Sequence, residues 1–262
     1  MTDQTIRFND GAAYEQLMGI WSRLAGEVFL DWLAPAKGRR WIDSGCGNGA
    51  FTELLVERSA PAEVQGVDPS EGQLAYARTR RQWSGVEFRQ GDAMALPFPA
   101  DRFDAGVMAL VLVFLSDQAK GVAELMRVVV PGGAVATYMW DMDGGGFPLG
   151  ALLTEMRAMS IASPLPASMS ASRMDSMNAL WSSAGAVSVE TREITVQRTF
   201  ASYEEFWSIG LKSSTVGPAL RGMAPGDVEK LKERVRDRVQ ADASGPLTLS
   251  ARANAIKGTR PR

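Results

Sequence analysis

No histidine occurs anywhere in the 262 residues. That removes the commonest general base, the serine–histidine triad and most zinc sites. A single cysteine, Cys46, excludes an intramolecular disulfide. There is no charge surplus either: 28 Lys and Arg face 30 Asp and Glu, for a net charge of −2. Chains that grip a polyphosphate backbone usually carry a strong basic excess, so nucleic acid is not an expected partner and a small substrate is favoured. Long hydrophobic runs are missing too. The longest, 105–115, is too short for a bilayer and lies between turn signals. Residues 1–10 are polar, with no apolar segment of a secretory signal. A soluble, cytoplasmic protein without a transmembrane segment is expected, and a homodimer stays open.

The chain is 45% hydrophobic, enough for one elaborated α/β domain with a sizeable core. Leu17, Ile20, Trp21, Leu24, Val28, Phe29 and Trp32 recur near helical spacing over 14–33. Strands are predicted at 40–43, 63–67, 86–90, 103–109 and 134–140, and helices at 50–58, from Ser70 or Glu71 to 82, and 117–128. This alternation predicts a parallel, doubly wound sheet. Beyond Trp140 the pattern loosens. Residues 141–172, rich in Gly, Ser, Met and Pro with a helical piece at 149–159, read as an insertion or lid. Helices at 174–184, 203–211 and 226–240 and strands at 187–196 and 248–256 complete the chain.

The segment Trp41-Ile42-Asp43-Ser44-Gly45-Cys46-Gly47-Asn48-Gly49 joins a strand to a helix through a glycine-rich turn, which lets a ligand approach the backbone. Gly45-x-Gly47-x-x-Ala50, with Asp68 downstream, also satisfies a permissive dinucleotide fingerprint, so NAD binding must be weighed. Electrostatics separates the two. Asp43 at the first strand's tip would repel a pyrophosphate and suit a cationic ligand. Asp68 and Asp92 end the next two strands, at the edge where open α/β sheets bind ligands, and can accept ribose hydroxyls and an adenine amino group. Three solvated loop acids are the bland alternative; one per consecutive strand is a poor match to accident.

Taken in order, the motifs resemble the class I S-adenosylmethionine-dependent methyltransferases, in particular the small-molecule branch that includes the ubiquinone/menaquinone C-methyltransferases. They are Ile42 to Gly49; Val67-Asp68-Pro69-Ser70; Gly91-Asp92-Ala93 with Leu96-Pro97-Phe98; Phe103-Asp104; and Glu124-Leu125-x-Arg127-Val128 with Pro131-Gly132-Gly133. The resemblance covers about 14–140. It implies a Rossmann-like, seven-stranded, mostly parallel sheet with flanking helices and a helical cap inserted near the C-terminus. It implies S-adenosylmethionine as donor and S-adenosylhomocysteine as product. Asp43, Ser44, Gly45, Cys46 and Gly47 would form the methionine-side turn, with Asp68, Pro69 and Ser70 at the ribose. Asp92 and Ala93 would meet the adenine, and backbone at Ala109 and Leu110 the methionyl amine. One domain over 1–262 follows: lid helices at 1–36, the cofactor-binding core at 37–140, substrate cap at 141–185 and 198–246, and final strands at 187–196 and 248–257. Ser44 and Val113 depart from the family, the latter where relatives carry a polar residue or histidine. A nucleic-acid or protein methyltransferase and an NAD-dependent oxidoreductase remain the alternatives.

Without histidine, a general base would have to be Asp, Glu, Tyr or water. Tyr138 and Asp141, at the exit of the fifth strand, are the catalytic candidates; a packing tyrosine and a loop acid are the preferred reading. Tyr14, Met18 and Trp21 share a helix face that is either pocket roof or core. Arg23 could pair with the methionine carboxylate of the donor or be an ordinary surface arginine, the preferred reading. Trp140 and Trp207, with Phe147, Tyr203 and Phe206, could wall an apolar or planar acceptor, or simply pack. Cys46 reads as a small turn residue rather than a nucleophile.

Overall fold

The computed structural model describes residues 15–80, 83–162, 164, 166, 168–213, 216–242 and 245–262. A π-turn (Glu15–Gly19) leads into α1 (Ile20–Leu33), followed by β1 (Arg40–Ser44), α2 (Ala50–Ser59), β2 (Glu63–Asp68), α3 (Glu71–Thr79), β3 (Val86–Gln90) and β4 (Phe103–Ala109). Then come α4 (Gln118–Val128), β5 (Val129–Trp140), α5 (Gly150–Ala158), α6 (Met174–Ser183), β6 (Val187–Phe200), α7 (Tyr203–Gly210), α8 (Val216–Arg221), α9 (Pro225–Arg238) and β7 (Leu247–Thr259). The seven strands form one sheet in the order β3-β2-β1-β4-β5-β7-β6. The first five run parallel, and β7 pairs antiparallel with both β5 and β6. The expected seven-stranded, mostly parallel α/β sheet is what forms.

Register decides which side chains face which helices. Ile42 lies level with Gly106, and Asp43 level with Val107. Asp43 points to the α2 side, where the Thr52 hydroxyl meets it. Ile42 and Gly106 point to the α4 side: a Cβ on Gly106 would stand 2.6 Å from Leu125 Cδ1 and 3.0 Å from Ile42 Cγ2. The missing side chain lets α4 lie flush on the sheet. Both faces are therefore covered, and β1 is buried over Trp41–Ser44. On the α1 and α2 side, the Tyr138 ring sits 4.7 Å from Phe29 and 5.8 Å from Phe51.

The last two strands overshoot the sheet. Trp140, the end of β5, pairs with Ala253, which in turn pairs with Ile194. The ribbon continues for six more pairs, to Phe200 opposite Leu247. At ~3.4 Å per residue it overhangs the carboxyl edge by about 20 Å. The α1 helix packs on this ribbon, with Trp21 6.4 Å from Phe200, and α7 reaches the Glu15–Gly19 turn.

Several boundaries differ from expectation. The α3 helix stops at Thr79 rather than 82, because Arg80 turns extended at ψ 169°. β5 starts at Val129, and a register shift between Phe103 and Ala105 absorbs the Pro131-Gly132-Gly133 turn. β6 runs to Phe200, and α8 had no clear signal in the sequence. Within 141–185, α6 lies against the sheet, Trp181 donating its indole N–H to the Val135 carbonyl at 3.3 Å. Tyr14 lies outside the described residues. Among the described residues no helix is long and apolar enough to cross a membrane.

Overpacking the sheet–α4 contact tests this layering. Gly106→Val should lower stability by about 1–3 kcal/mol, the usual cost of forcing extra methyls into a filled core. A thermal melt at neutral pH measures it; an unchanged midpoint would contradict the flush packing.

Candidate functional site

The carboxyl ends of β1, β2 and β3 bring Asp43, Asp68 and Asp92 to one edge, around a bend made by Gly45, Gly47 and Gly49. These glycines have φ of 81°, 52° and 77°, in the left-handed region that side chains resist. The amides of the bend point inward. Gly45 N–H donates to the Val67 carbonyl at 2.7 Å, and Cys46 N–H to the same oxygen at 3.0 Å. Gly47 N–H donates to Asp68 Oδ2 at 2.9 Å, Gly49 N–H to the Cys46 carbonyl at 2.9 Å, and Ala50 N–H to Asn48 Oδ1 at 3.2 Å. A phosphate cradle needs such N–H groups free and aimed outward. Here they are spent on the protein's own oxygens, one of them a carboxylate.

The acids are not equivalent. Asp43 is 0% exposed; its Oδ2 accepts the Thr52 hydroxyl at 2.7 Å, while Oδ1 is buried without a hydrogen bond. Burial pushes this carboxyl up to about 7, against the Thr52 hydrogen bond and helped by the nearby Asp68 charge. Asp68 is only partly buried. Burial raises its carboxyl above the ordinary range, opposed by hydrogen bonds from the Ser70 and Gly47 amides. Its two oxygens hold Ser70 N–H at 2.9 Å and Gly47 N–H at 2.9 Å, so it fixes the bend from the neighbouring strand. Asp92 is exposed and accepts the Met94 amide at 2.8 Å, while Ala93 beside it is buried.

The structure gathers Gly45, Gly47, Asp68, Ser70 and Ala109–Leu110 at this edge. It puts Asp43, Ser44 and Cys46 a layer beneath, at 0%, 0% and 6% exposure. Cys46 is therefore a packing residue of the bend; burial, with Asp43 and Asp68 nearby, raises its thiol well above the usual value. The two glycines also differ. Val111 covers Gly45, where a Cβ would come 2.4 Å from Val111 Cγ2, whereas a Cβ on Gly47 would meet nothing nearer than Gln73 Oε1 at 3.9 Å. Leu110 takes φ 61°, a conformation costing a non-glycine residue about 1–2 kcal/mol, and its N–H is tied to the Tyr138 carbonyl at 2.9 Å.

The other candidates are structurally engaged. The Tyr138 ring is in the core, its hydroxyl 3.5 Å from the Ser22 carbonyl. Asp141 accepts the Gly144 amide at 2.9 Å and is ion-paired with Arg252 at 2.5 Å. Met18, Trp21, Trp140 and Trp207 are all buried. Arg23 pairs with Glu27 and Glu57 on the surface. Sequence reasoning missed Thr52, Val111, Arg80 and Glu15. Thr52 lies one helical turn beyond the bend and could have been found as a hydroxyl facing Asp43; the others meet the bend only through the fold.

Residues 42–137 match the model of a methyltransferase domain family. The chain is 39% identical over 115 residues to a demethylmenaquinone methyltransferase of Thermus thermophilus, covering 43% of this chain and 50% of that protein. It is 37% identical over 132 residues to a trans-aconitate 2-methyltransferase of an Acidovorax species, covering 50% of each. The chain thus spans about half the length of these relatives. Among solved structures it resembles phosphoethanolamine N-methyltransferase 2 of Haemonchus contortus in complex with phosphomonomethylethanolamine and S-adenosylhomocysteine. That likeness has a TM-score of 0.60 at 18% identity, over 95% of this chain and 56% of that one.

The buried Asp43 makes stability depend on pH. Its folded value, about 7, lies above the ordinary 3.8, so the folded state holds a proton that the unfolded state releases between these values. Stability therefore falls as pH rises through that window, by up to ~4 kcal/mol at ~1.4 kcal/mol per unit, and levels off above it. Urea unfolding at pH 5 and 8 should show this decline in the wild type and a smaller one in Asp43→Asn. Equal slopes would refute it.

Proposed function

We propose that the protein, whose residues 42–137 match a methyltransferase domain, transfers a methyl group from S-adenosylmethionine to a small-molecule acceptor. One observation carries the choice of donor over a dinucleotide: the bend's amides are consumed internally beside two carboxylates, which leaves a site repellent to pyrophosphate and attractive to a cation. The residues present fit such a donor. The open side of Gly47 leaves room for a ligand where a Cβ would stand, and Asp43 lies beneath it, adding negative charge once its carboxyl ionises through about 7.

In this reading Gly45 and Gly47 run under the methionine portion, and Asp68 receives the ribose hydroxyls while its own amide contacts hold the carboxylate in place. Pro69 and Ser70 complete that turn. Asp92 and the Ala93 amide meet the adenine, and backbone at Ala109 and Leu110 faces the methionyl amine. Asp43, Ser44 and Cys46 act from beneath, Asp43 through its field rather than by contact. The donor brings a sulfonium-activated methyl group open to in-line displacement. The protein's task is then to hold two reactants in line and exclude water, a contribution of about 7–11 kcal/mol in favourable cases. With Tyr138 and Asp141 engaged elsewhere, neither serves as base in this proposal, which favours an acceptor already nucleophilic at neutral pH.

The acceptor is placed in this proposal beside Trp21, Phe200, Phe206 and Trp207, side chains that pack against one another in the closed structure. Phe200 and Phe206 lie 5.4 Å apart edge to face, and Tyr203 stacks on Trp207 at 6.5 Å. Such walls suit an apolar or planar molecule. A net charge of −2 argues against a nucleic-acid acceptor.

Isothermal titration with S-adenosylmethionine, S-adenosylhomocysteine and NADH tests the donor: binding of NADH alone would overturn the reading. Asp68→Ala should weaken S-adenosylhomocysteine binding by about 1–3 kcal/mol, the scale of lost charge-assisted hydrogen bonds. Gly47→Val should abolish it, and wild-type affinity in either folded variant would refute the placement. A cationic donor binds best when Asp43 is ionised. Its affinity should therefore rise between pH 5.5 and 7.5 and flatten in Asp43→Asn; a wild type indifferent to pH would contradict this.

A further inference from the structure

The Arg80 side chain, 14% exposed, leaves the end of α3 and forks into three partners. Nε donates to the Asn48 carbonyl at 2.7 Å, Nη1 to Glu53 Oε2 at 2.7 Å, and Nη2 to Glu15 Oε2. The same Glu15 oxygen accepts Asn48 Nδ2 at 2.9 Å, closing a ring of contacts. Asn48 is the bend residue between Gly47 and Gly49, and its Oδ1 caps the start of α2. Glu53 is in the first turn of α2. Glu15 opens the turn that leads to α1, and α1 carries Trp21 against Phe200 of the overhanging ribbon. One guanidinium thus ties the glycine bend to the turn that leads into α1. Only a planar fork with several fixed donors can hold a carbonyl and two carboxylates at once. Breaking such a fork removes the tether at Asn48, on the outer part of a bend whose inner part is held by Val67 and Asp68.

Resting on the methyltransferase reading, we infer that Arg80 is a positioning residue: it sets the shape of the glycine bend and, through Glu15, latches the N-terminal turn over the donor. Donor affinity and closure of the acceptor side are then coupled through one side chain that touches neither ligand. A purely structural ion pair would contribute to stability alone. The Arg102–Glu63 pair, at the opposite edge of the sheet with Nη2 2.5 Å from Oε1, is the matched control.

The test is S-adenosylhomocysteine binding by calorimetry, with hydrogen exchange of amides 15–24 in the presence and absence of that ligand. R80Q should bind at least tenfold more weakly than wild type, R102Q should bind as wild type does, and R80K should fall between, since an ammonium reaches the Asn48 carbonyl but cannot fork. The ligand should slow exchange over 15–24 in the wild type and fail to do so in E15Q. An R80Q within twofold of wild type, an equal loss in R102Q, an R80K matching wild type, or ligand protection kept in E15Q would each overturn the inference. E15Q alters a part-exposed residue and so carries the test even if R80Q fails to fold. A wild type that binds no S-adenosylhomocysteine would instead remove the donor reading itself, and this inference with it.

Discussion

The inward pointing of the glycine bend's amides is the constraint on which the rest depends. A turn between a strand and a helix at the carboxyl edge of a parallel sheet offers a row of N–H groups, and what they bind fixes the charge of the ligand. Here the Val67 carbonyl takes two of them and the Asp68 carboxylate a third. Once a carboxylate from the next strand has entered the bend, the edge is anionic, and the buried Asp43 deepens that field as it ionises through about 7. A phosphate-binding site and this site can share the same glycine spacing while differing in the direction of three amides. The spacing is therefore a statement about backbone shape, and the acids are the statement about chemistry.

An anionic bend that holds a cation needs little else by way of catalytic groups. The absence of histidine looks severe for an enzyme that moves protons, and mild for one that aligns an activated leaving group with a nucleophile. The surroundings agree. The polar side chains at the end of β5 serve the fold, with Asp141 bound to Arg252 and the Tyr138 hydroxyl held in the core. What reaches over the edge is apolar and aromatic, carried by α1, α7 and a ribbon that overshoots the sheet by about 20 Å at the usual strand rise.

The parallel part of the fold was legible because its signals are local. Ile42 to Gly49, Asp68-Pro69-Ser70 and Gly91-Asp92 each place a turn directly after an apolar strand, so β3 and β4 were anticipated to the residue. The acids followed from the same places. Depth was not legible: nothing in Asp43-Ser44-Gly45-Cys46 says that only part of it reaches the ligand side while the rest lies beneath. Long-range partners were not legible either. Val111 covers Gly45 from 66 positions away, and Arg80 meets Glu15 from 65. Leu110 at φ 61° could not be foreseen, because leucine is disfavoured there and only the finished fold holds it.

The same division between local and long-range signals separates the proposed donor side from the proposed acceptor side. Relatives named for a quinone and for trans-aconitate resemble this chain at similar identity over no more than half of it, and the stretch that matches a methyltransferase domain ends at 137, before α5 and all that follows. In the proposed reading the choice of acceptor lies in what is laid over the edge afterwards. There the fixed points are ion pairs: Glu155, with a side chain 6% exposed, holds Arg234 and Arg238 and so pins α9 to α5. A buried carboxylate shared by two arginines makes a poor stabiliser and a good register mark, since any other docking of α9 would strand its charge. In the proposed reading, specificity is then a matter of where rigid helices seat the aromatic side chains of α1, β6 and α7. Substitutions among those side chains would, in the proposed reading, change what fits, while the bend below would continue to hold the same donor.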